Sequence, residues 1–176
     1  AFAGNPYFID IDTLISEGLL EQSEVDEHFW GDEEDKVDYE AIYNSRFVIL
    51  KKAFERSNHQ TKEEYIQFCK ENSYWIDDYS LYMAIKNHFD NKEWLLWDED
   101  IRFREPNTVK KYEKELSEDV NFWKFCQFKF YQQWFKLKAY ANENGIQIIG
   151  DIPLYVAMDS SDVWVHGDLF ELDERK

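Results

Sequence analysis

The segment from residue 145 to residue 157 constrains the fold more than any other part of this chain. Gly145 follows a long stretch of helical periodicity, and glycine is favoured at the left-handed position just after a helix ends. The residues that follow, Ile146-Gln147-Ile148-Ile149, form a β-branched run of strand length, which Asp151 interrupts. We therefore expect a helix followed by a strand, the repeating unit of α/β folds, with an acid at the tip of the strand.

Asp151 has two interpretations. The carboxyl ends of the strands form the active-site face of an α/β barrel, so an acid at that position is the first candidate for contact with a substrate. Alternatively, Asp151 is a buried carboxylate that accepts hydrogen bonds from backbone amides at the next turn, because charges are buried only when they are paired. The spacing alone leaves both interpretations open.

Most of the remaining chain has helical patterns. Apolar positions three, four and seven apart predict a helix from Asp38 to about Ser57, with an apolar stripe of Tyr39, Ile42, Tyr43, Phe47, Leu50 and Phe54. We also expect a short helix capped by Thr13 and ending at Gly18, a helix that starts at a capping box at Thr61, a helix over Ser73–His88, and a long helix from Glu118 to Asn144. An irregular connection packed by tryptophan is expected over residues 91–107, and extended chain from Leu169.

The charge and the aromatic content limit the ligand. The net charge is −17, from 37 acidic and 20 basic residues, which argues against binding to nucleic acid or to an anionic membrane surface. A neutral ligand fits better. Aromatic residues make up 18% of the chain, and such rings either stack on sugars or build a core of large side chains.

The missing membrane run, cysteine pairs and metal-binding motifs lead to expectations about the location of the protein and about its cofactors. No apolar run approaches the roughly 18 residues of a membrane helix, and Cys69 and Cys126 have no CxxC spacing, so we expect reduced thiols and a cytoplasmic protein. A calcium loop starting at Asp159 would have Trp164 in place of its glycine and Phe170 in place of its final glutamate. Phosphate-binding glycine motifs, serine-hydrolase elbows and paired histidine ligands are also missing, so we expect no metal and no cofactor.

Four blocks of this sequence, all in the family's order, resemble the 4-alpha-glucanotransferases (amylomaltases or disproportionating enzymes, glycoside hydrolase family 77). They are Phe2-Ala3-Gly4-Asn5-Pro6-Tyr7, Trp75-Ile76-Asp77-Asp78-Tyr79-Ser80-Leu81-Tyr82-Met83-Ala84-Ile85-Lys86, Gln133-Trp134-Phe135-Lys136-Leu137-Lys138, and Ile149-Gly150-Asp151-Ile152-Pro153-Leu154-Tyr155-Val156-Ala157 with Asp159-Ser160 and Val163-Trp164.

The resemblance implies a fold and a reaction. The fold would be part of a (β/α)8 TIM barrel: a cleft segment over residues 1–12, a mostly helical insertion over 13–116, and a barrel helix, strand and following loop over 117–176. The reaction would be transfer of α-1,4-glucan segments between maltooligosaccharides by a retaining double displacement. The family's nucleophile and acid/base belong to motifs that do not occur before Lys176, so we expect an internal fragment that is inactive alone.

The resemblance also assigns roles to single residues. Asp151 would be the acid of the third barrel strand that supports the sugar subsite, and Tyr43 would lie in a secondary glucan-binding groove. The periodicity of the helix equally allows Tyr43 to pack in the core. Trp164 and His166 would contact substrate or would pack the loop, and Ser161 and Gly167 depart from the family's commoner residues. Two other functional classes stay open: a non-enzymatic carbohydrate-binding module built from the aromatic helices, and an acidic helical interaction domain.

Overall fold

The computed structural model describes residues 2–32, 35–152 and 154–173. Within these residues all regular secondary structure is helical. The helices are α1 (Ile11–Ser16), α2 (Gln22–Asp26), α3 (Tyr39–Arg56), α4 (Glu63–Glu71), α5 (Ser73–His88), α6 (Glu99–Arg102), α7 (Pro106–Glu115), α8 (Ser117–Glu143) and α9 (Ser161–Val165). Short 3-10 turns lie at Pro6–Phe8, His59–Thr61, Trp94–Leu96 and Gly167–Leu169.

The long helix α8 is the axis of the packing. Its first half is buried between α3 and α5, where Phe122, Phe125 and Cys126 recur three and four positions apart and so lie on one face. They join Ile49, Leu50 and Phe54 of α3 and Leu14 of α1 in a first core. Its second half, from Phe135 to Tyr140, is exposed.

A second core lies against Leu81, Tyr82 and Ile85 of α5, whereas Ala84 of the same helix belongs to the first core. It contains Trp94 and Trp97 of the connection between α5 and α6, together with Val163 and Trp164 of α9. Tyr82 and Ile85 of α5 complete its centre. The expected packing of this connection by tryptophan is thus confirmed, but the connection is not irregular throughout, because it contains the 3-10 turn Trp94–Leu96 and α6. Twelve aromatic side chains of the described residues are buried.

The observed helix ends explain which capping predictions are wrong. Asp10, and not Thr13, caps α1, because its carboxylate accepts the Thr13 amide at 2.9 Å. The capping box at Thr61 does not form: Thr61 lies in a 3-10 turn, its hydroxyl donates to the Asn58 carbonyl, and α4 starts at Glu63 without a side-chain cap. Gly145 has a φ of +75°, as its place after α8 requires.

The strand predicted after Gly145 is not formed. The Ile146 amide donates to the Ala141 carbonyl at the end of α8, and residues 147–152 then run as irregular chain without a backbone partner among the described residues. A strand requires a neighbour for its amides and carbonyls, and the described residues offer none. Ile149 and Ile152 are consequently 90% and 82% exposed. Leu169, expected in extended chain, lies in a 3-10 turn. Pro153 has no amide to donate, so we expect it to weaken strand pairing, but it lies outside the described residues.

No helix in the described part of the chain combines the length and the apolar character that a membrane crossing needs.

Candidate functional site

Asp151 is exposed on the irregular segment that follows α8. Its neighbours Ile149 and Ile152 also project into solvent, and none of the hydrogen bonds or ion pairs among the described residues involves its carboxylate. The interpretation as a buried acid bonded to backbone amides is therefore wrong. An exposed carboxylate flanked by exposed apolar side chains is available to other groups, and its contact with substrate stays a prediction.

Tyr43 lies on the exposed face of α3, where it is 60% accessible. The buried face of this helix contains Ala41, Ser45 and Ile49. The prediction that Tyr39 and Tyr43 belong to the buried face is therefore wrong. Core packing is therefore excluded for Tyr43, and its role in a glucan-binding groove stays a prediction.

Trp164 is buried, and its position explains the structure of the loop after Asp151. Its indole N–H donates to the Ile101 carbonyl at 3.1 Å, and the Arg104 guanidinium lies 4.3 Å from the centre of its ring. The side chain thus packs the loop and closes the second core. His166, at the end of α9, is exposed and lines a cavity together with residues of α5.

Asp159 fixes the same loop to α5, a role that the sequence did not reveal. Its carboxylate accepts the Tyr82 hydroxyl at 2.6 Å and the Trp94 amide at 3.3 Å, and it forms an ion pair with Lys86. Burial alone would raise the pKa of this carboxyl, but the hydrogen bonds from Lys86, Tyr82 and the Trp94 amide lower it. The sequence showed Asp159 as a member of the fourth block and as the start of a calcium loop that lacks its required residues. The cap of α9 is the next residue, Ser160, whose hydroxyl accepts the Val163 amide.

The four blocks quoted from the sequence meet in space. Lys86 and Tyr82 of the second block bind Asp159 of the fourth. The side chain of Gln133, in the third block, accepts the Asp10 amide at 2.7 Å and donates to the Asp10 carbonyl at 3.1 Å, just after the first block. These polar contacts join the second block to Asp159 of the fourth, and the third block to the residue that follows the first segment, while the residues around Asp151 take no part in them.

The profile of the 4-alpha-glucanotransferases, glycoside hydrolase family 77, matches residues 1–176. The chain belongs to this family.

Individual 4-alpha-glucanotransferases give the same result. The chain is 45% identical over 174 residues to the enzyme of Clostridium butyricum and 37% identical over 178 residues to that of Thermus thermophilus, and each alignment covers 99% of this chain. The fold is similar to an amylomaltase from Streptococcus agalactiae solved in complex with acarbose, with a TM-score of 0.92 and 39% identity. That alignment covers 99% of this chain and 36% of the amylomaltase. The chain spans about a third of the length of the curated relatives it matches.

Proposed function

We propose that this chain is one part of a 4-alpha-glucanotransferase that transfers α-1,4-glucan segments between maltooligosaccharides. The observation that carries the proposal is the agreement of fold and sequence with an amylomaltase over almost the whole chain. The acarbose bound to that amylomaltase supports a carbohydrate substrate here. The large negative net charge is compatible with such a neutral ligand.

The barrel strand is the part of the proposal that the exposed residues support. The second half of α8 leaves Phe135, Leu137 and Tyr140 more than half exposed, beside a cavity of about 720 Å³ that is also lined by Phe8 and Trp134. The irregular segment after Gly145 exposes Ile149, Ile152, Leu154 and Tyr155. In a (β/α)8 barrel the strands are buried on both faces and carry such continuous apolar runs. Residues 146–152 are accordingly proposed to become a barrel strand, with α8 as its helix.

The proposed chemistry divides between this chain and the rest of the enzyme. A retaining mechanism requires a nucleophilic carboxylate and an acid/base carboxylate about 5 Å apart. We assign both to the part of the enzyme outside these residues, so the chain alone has no transferase activity. Asp151 contributes as a carboxylate at the mouth of the barrel that accepts hydrogen bonds from a sugar. Transfer in place of hydrolysis further requires that water be excluded from the site.

The binding residues have distinct proposed roles. Tyr43 offers an exposed ring as a platform for a glucan chain on the helical insertion. His166 presents an exposed imidazole to substrate. Trp164 supports binding without touching the substrate, because its buried indole holds α9 in place. The division into a cleft segment (1–12), an insertion (13–116) and a barrel unit (117–176) belongs to the same proposal.

A chimeric enzyme tests the proposal. Residues 1–176 would replace the matching segment of the Clostridium butyricum enzyme, and maltotriose would be the substrate. The expected result is release of glucose together with maltooligosaccharides longer than maltotriose. A chimera that folds, as judged by circular dichroism and gel filtration, but neither releases glucose nor forms longer products would contradict the proposal.

A further inference from the structure

A small cavity lies where three segments distant in sequence meet. Phe2 and Ala3 of the N-terminal segment form one wall, the first two turns of α5 form the second, and α9 with His166 forms the third. Its volume is about 200 Å³, below the roughly 300 Å³ at which pockets for drug-sized ligands begin, so it has room for one small ring. Of the four substrate-contacting residues predicted from the sequence, His166 lines this cavity, whereas Tyr43, Asp151 and Trp164 do not.

The walls of the cavity are held in place without a ligand. The backbone amide and carbonyl of Gly4 bond to the fully buried side chain of Gln127 at 2.8 and 2.9 Å, which fixes the N-terminal segment on α8. Asp78 of α5 accepts a hydrogen bond from Arg104 at 2.7 Å, and the same guanidinium covers Trp164 of α9. A site whose walls are fixed in advance loses less conformational entropy when a ligand binds.

The chemistry of the lining fits a sugar ring. Phe2 and Tyr74 meet edge to face at 5.4 Å and are 53% and 63% exposed, so ring faces are open to solvent. Trp75 and Tyr79 add aromatic surface below them. The Asp78 carboxylate and the His166 imidazole are groups that hydrogen-bond hydroxyls. Aromatic faces with a few convergent polar groups are the arrangement that binds neutral polar rings, whereas the carboxylates of the lining disfavour an anion.

We propose that this cavity binds a single glucosyl unit of an α-1,4-glucan, with Tyr74 and Phe2 as the platform and with Asp78 and His166 as hydrogen-bonding partners. The inference rests on the proposed function for its ligand class. The site differs from Asp151 and from the exposed ring of Tyr43, because neither residue lines the cavity. It would hold a glucan chain on the helical body while other units of the same chain react.

The test is a titration of the ¹⁵N-labelled chain with millimolar maltose, read from backbone amide shifts. The amides of Tyr74–Asp78 and Ser161–His166 should shift and saturate, and inorganic phosphate, an anion that the carboxylates of the lining disfavour, should produce a response at least fivefold weaker. Tyr74→Ala should weaken maltose binding about tenfold. Tyr39→Ala is the matched control, since Tyr39 is 81% exposed on α3 and does not line the cavity. Phe2→Ala, on the opposite wall of the cavity, should also weaken maltose binding.

Shifts confined to other regions, equal responses to inorganic phosphate and maltose, or full binding by Tyr74→Ala in a chain with unchanged circular dichroism would each overturn the inference. The two proposals fail separately. If the chimera transfers glucan segments but the cavity shows no response, the proposed glucosyl site is wrong and the enzyme assignment stands. If the cavity responds but the chimera does not transfer, the enzyme assignment is wrong and the binding site stands.

Discussion

The N-terminal segment can lie close to α8 because Gly4 has no side chain beyond a hydrogen atom. A Cβ at this position would overlap the ring of Phe130, and the bonds to Gln127 prevent the backbone from moving away. We predict that Gly4→Ala lowers the free energy of unfolding by about 1–3 kcal/mol, the usual cost of overpacking. Urea denaturation measures the change. Gly150→Ala is the matched control, because nothing lies within 4 Å of its Cβ, and an equal loss in both variants would contradict the argument.

His59 makes the stability of the fold depend on pH. It is buried among Phe54, Tyr65 and Phe125, and burial, followed by the charges of Lys129 and Lys62, lowers its pKa to about 4. The unfolded chain therefore takes up this proton first as the pH falls. The stability that the chain gains by burying a neutral His59 is complete above about pH 6.5. It is lost as the pH falls from about 6.5 to about 4, and the free energy of unfolding then drops by up to about 3 kcal/mol.

The corresponding prediction concerns the slope of stability against pH. His59→Gln should flatten the fall of the unfolding free energy between about pH 6.5 and about pH 5.5, a window above the range in which ordinary carboxylates titrate. His88→Gln, at an exposed position, should leave the slope as it is in the original chain. Two equal slopes for His59→Gln and the original chain would show that the imidazole does not carry this dependence.

At the scale of elements, the loop from Met158 to His166 is held by contacts that are remote in sequence. Asp159 receives hydrogen bonds from Tyr82, Lys86 and the Trp94 amide, and the Trp94 indole donates to the Met158 carbonyl at 2.8 Å. These bonds connect the loop to α5 and to the 3-10 turn that follows it.

We predict that Asp159→Asn destabilises the chain by about 1–3 kcal/mol, since it leaves the ammonium of Lys86 without its partner. Because the pKa of Asp159 is lowered on folding, the contribution is present above pH 4 and is lost as the pH falls further. Thermal unfolding at pH 7 measures the effect. Asp32→Asn, at an exposed position, should change stability by less than about 0.5 kcal/mol, and a similar loss in both variants would point to net charge as the cause.

The elements that the sequence predicted best are those whose signals are local. The helix over Ser73–His88 is confirmed at both ends, the long helix predicted from Glu118 to Asn144 is observed within one residue at each end, and the left-handed Gly145 is also confirmed. Helical periodicity and glycine conformation depend on neighbouring residues alone. The caps of α1 and α4 were misplaced because several polar side chains compete at each helix start.

The features that the sequence could not predict depend on remote partners. The run after Gly145 has strand composition, but a strand forms only when another strand pairs with it. The anchoring of Asp159 requires α5 to lie beside a residue 73 positions away in the chain. The apolar stripe of α3 includes Tyr43 by periodicity alone, whereas the packing of α8 decides which side of the helix is covered. Each of these features is set by tertiary contacts that periodicity does not encode.

On the scale of the whole molecule, one stretch of the described residues, from Phe135 to Met158, carries 11 of the 23 exposed large apolar side chains. It comprises the second half of α8 and the residues after Gly145, whereas the first half of α8 lies within the first core. The chain covers about a third of the length of its relatives. In the proposed barrel, the rest of the enzyme would bury the apolar surface of this stretch. Asp151 lies within it, and the function proposed for this residue depends on the proposed barrel strand.

The activity of the chimera with and without Asp151 tests this central claim most directly. In the Clostridium butyricum chimera, kcat for maltotriose disproportionation by the Asp151→Asn variant should fall by about a hundredfold or more, the cost of losing a hydrogen-bonding group that acts on the transition state. Asp32→Asn in the same chimera should retain its rate. If the Asp151→Asn chimera keeps a kcat within threefold of the parent chimera, Asp151 does not act at the sugar-processing site.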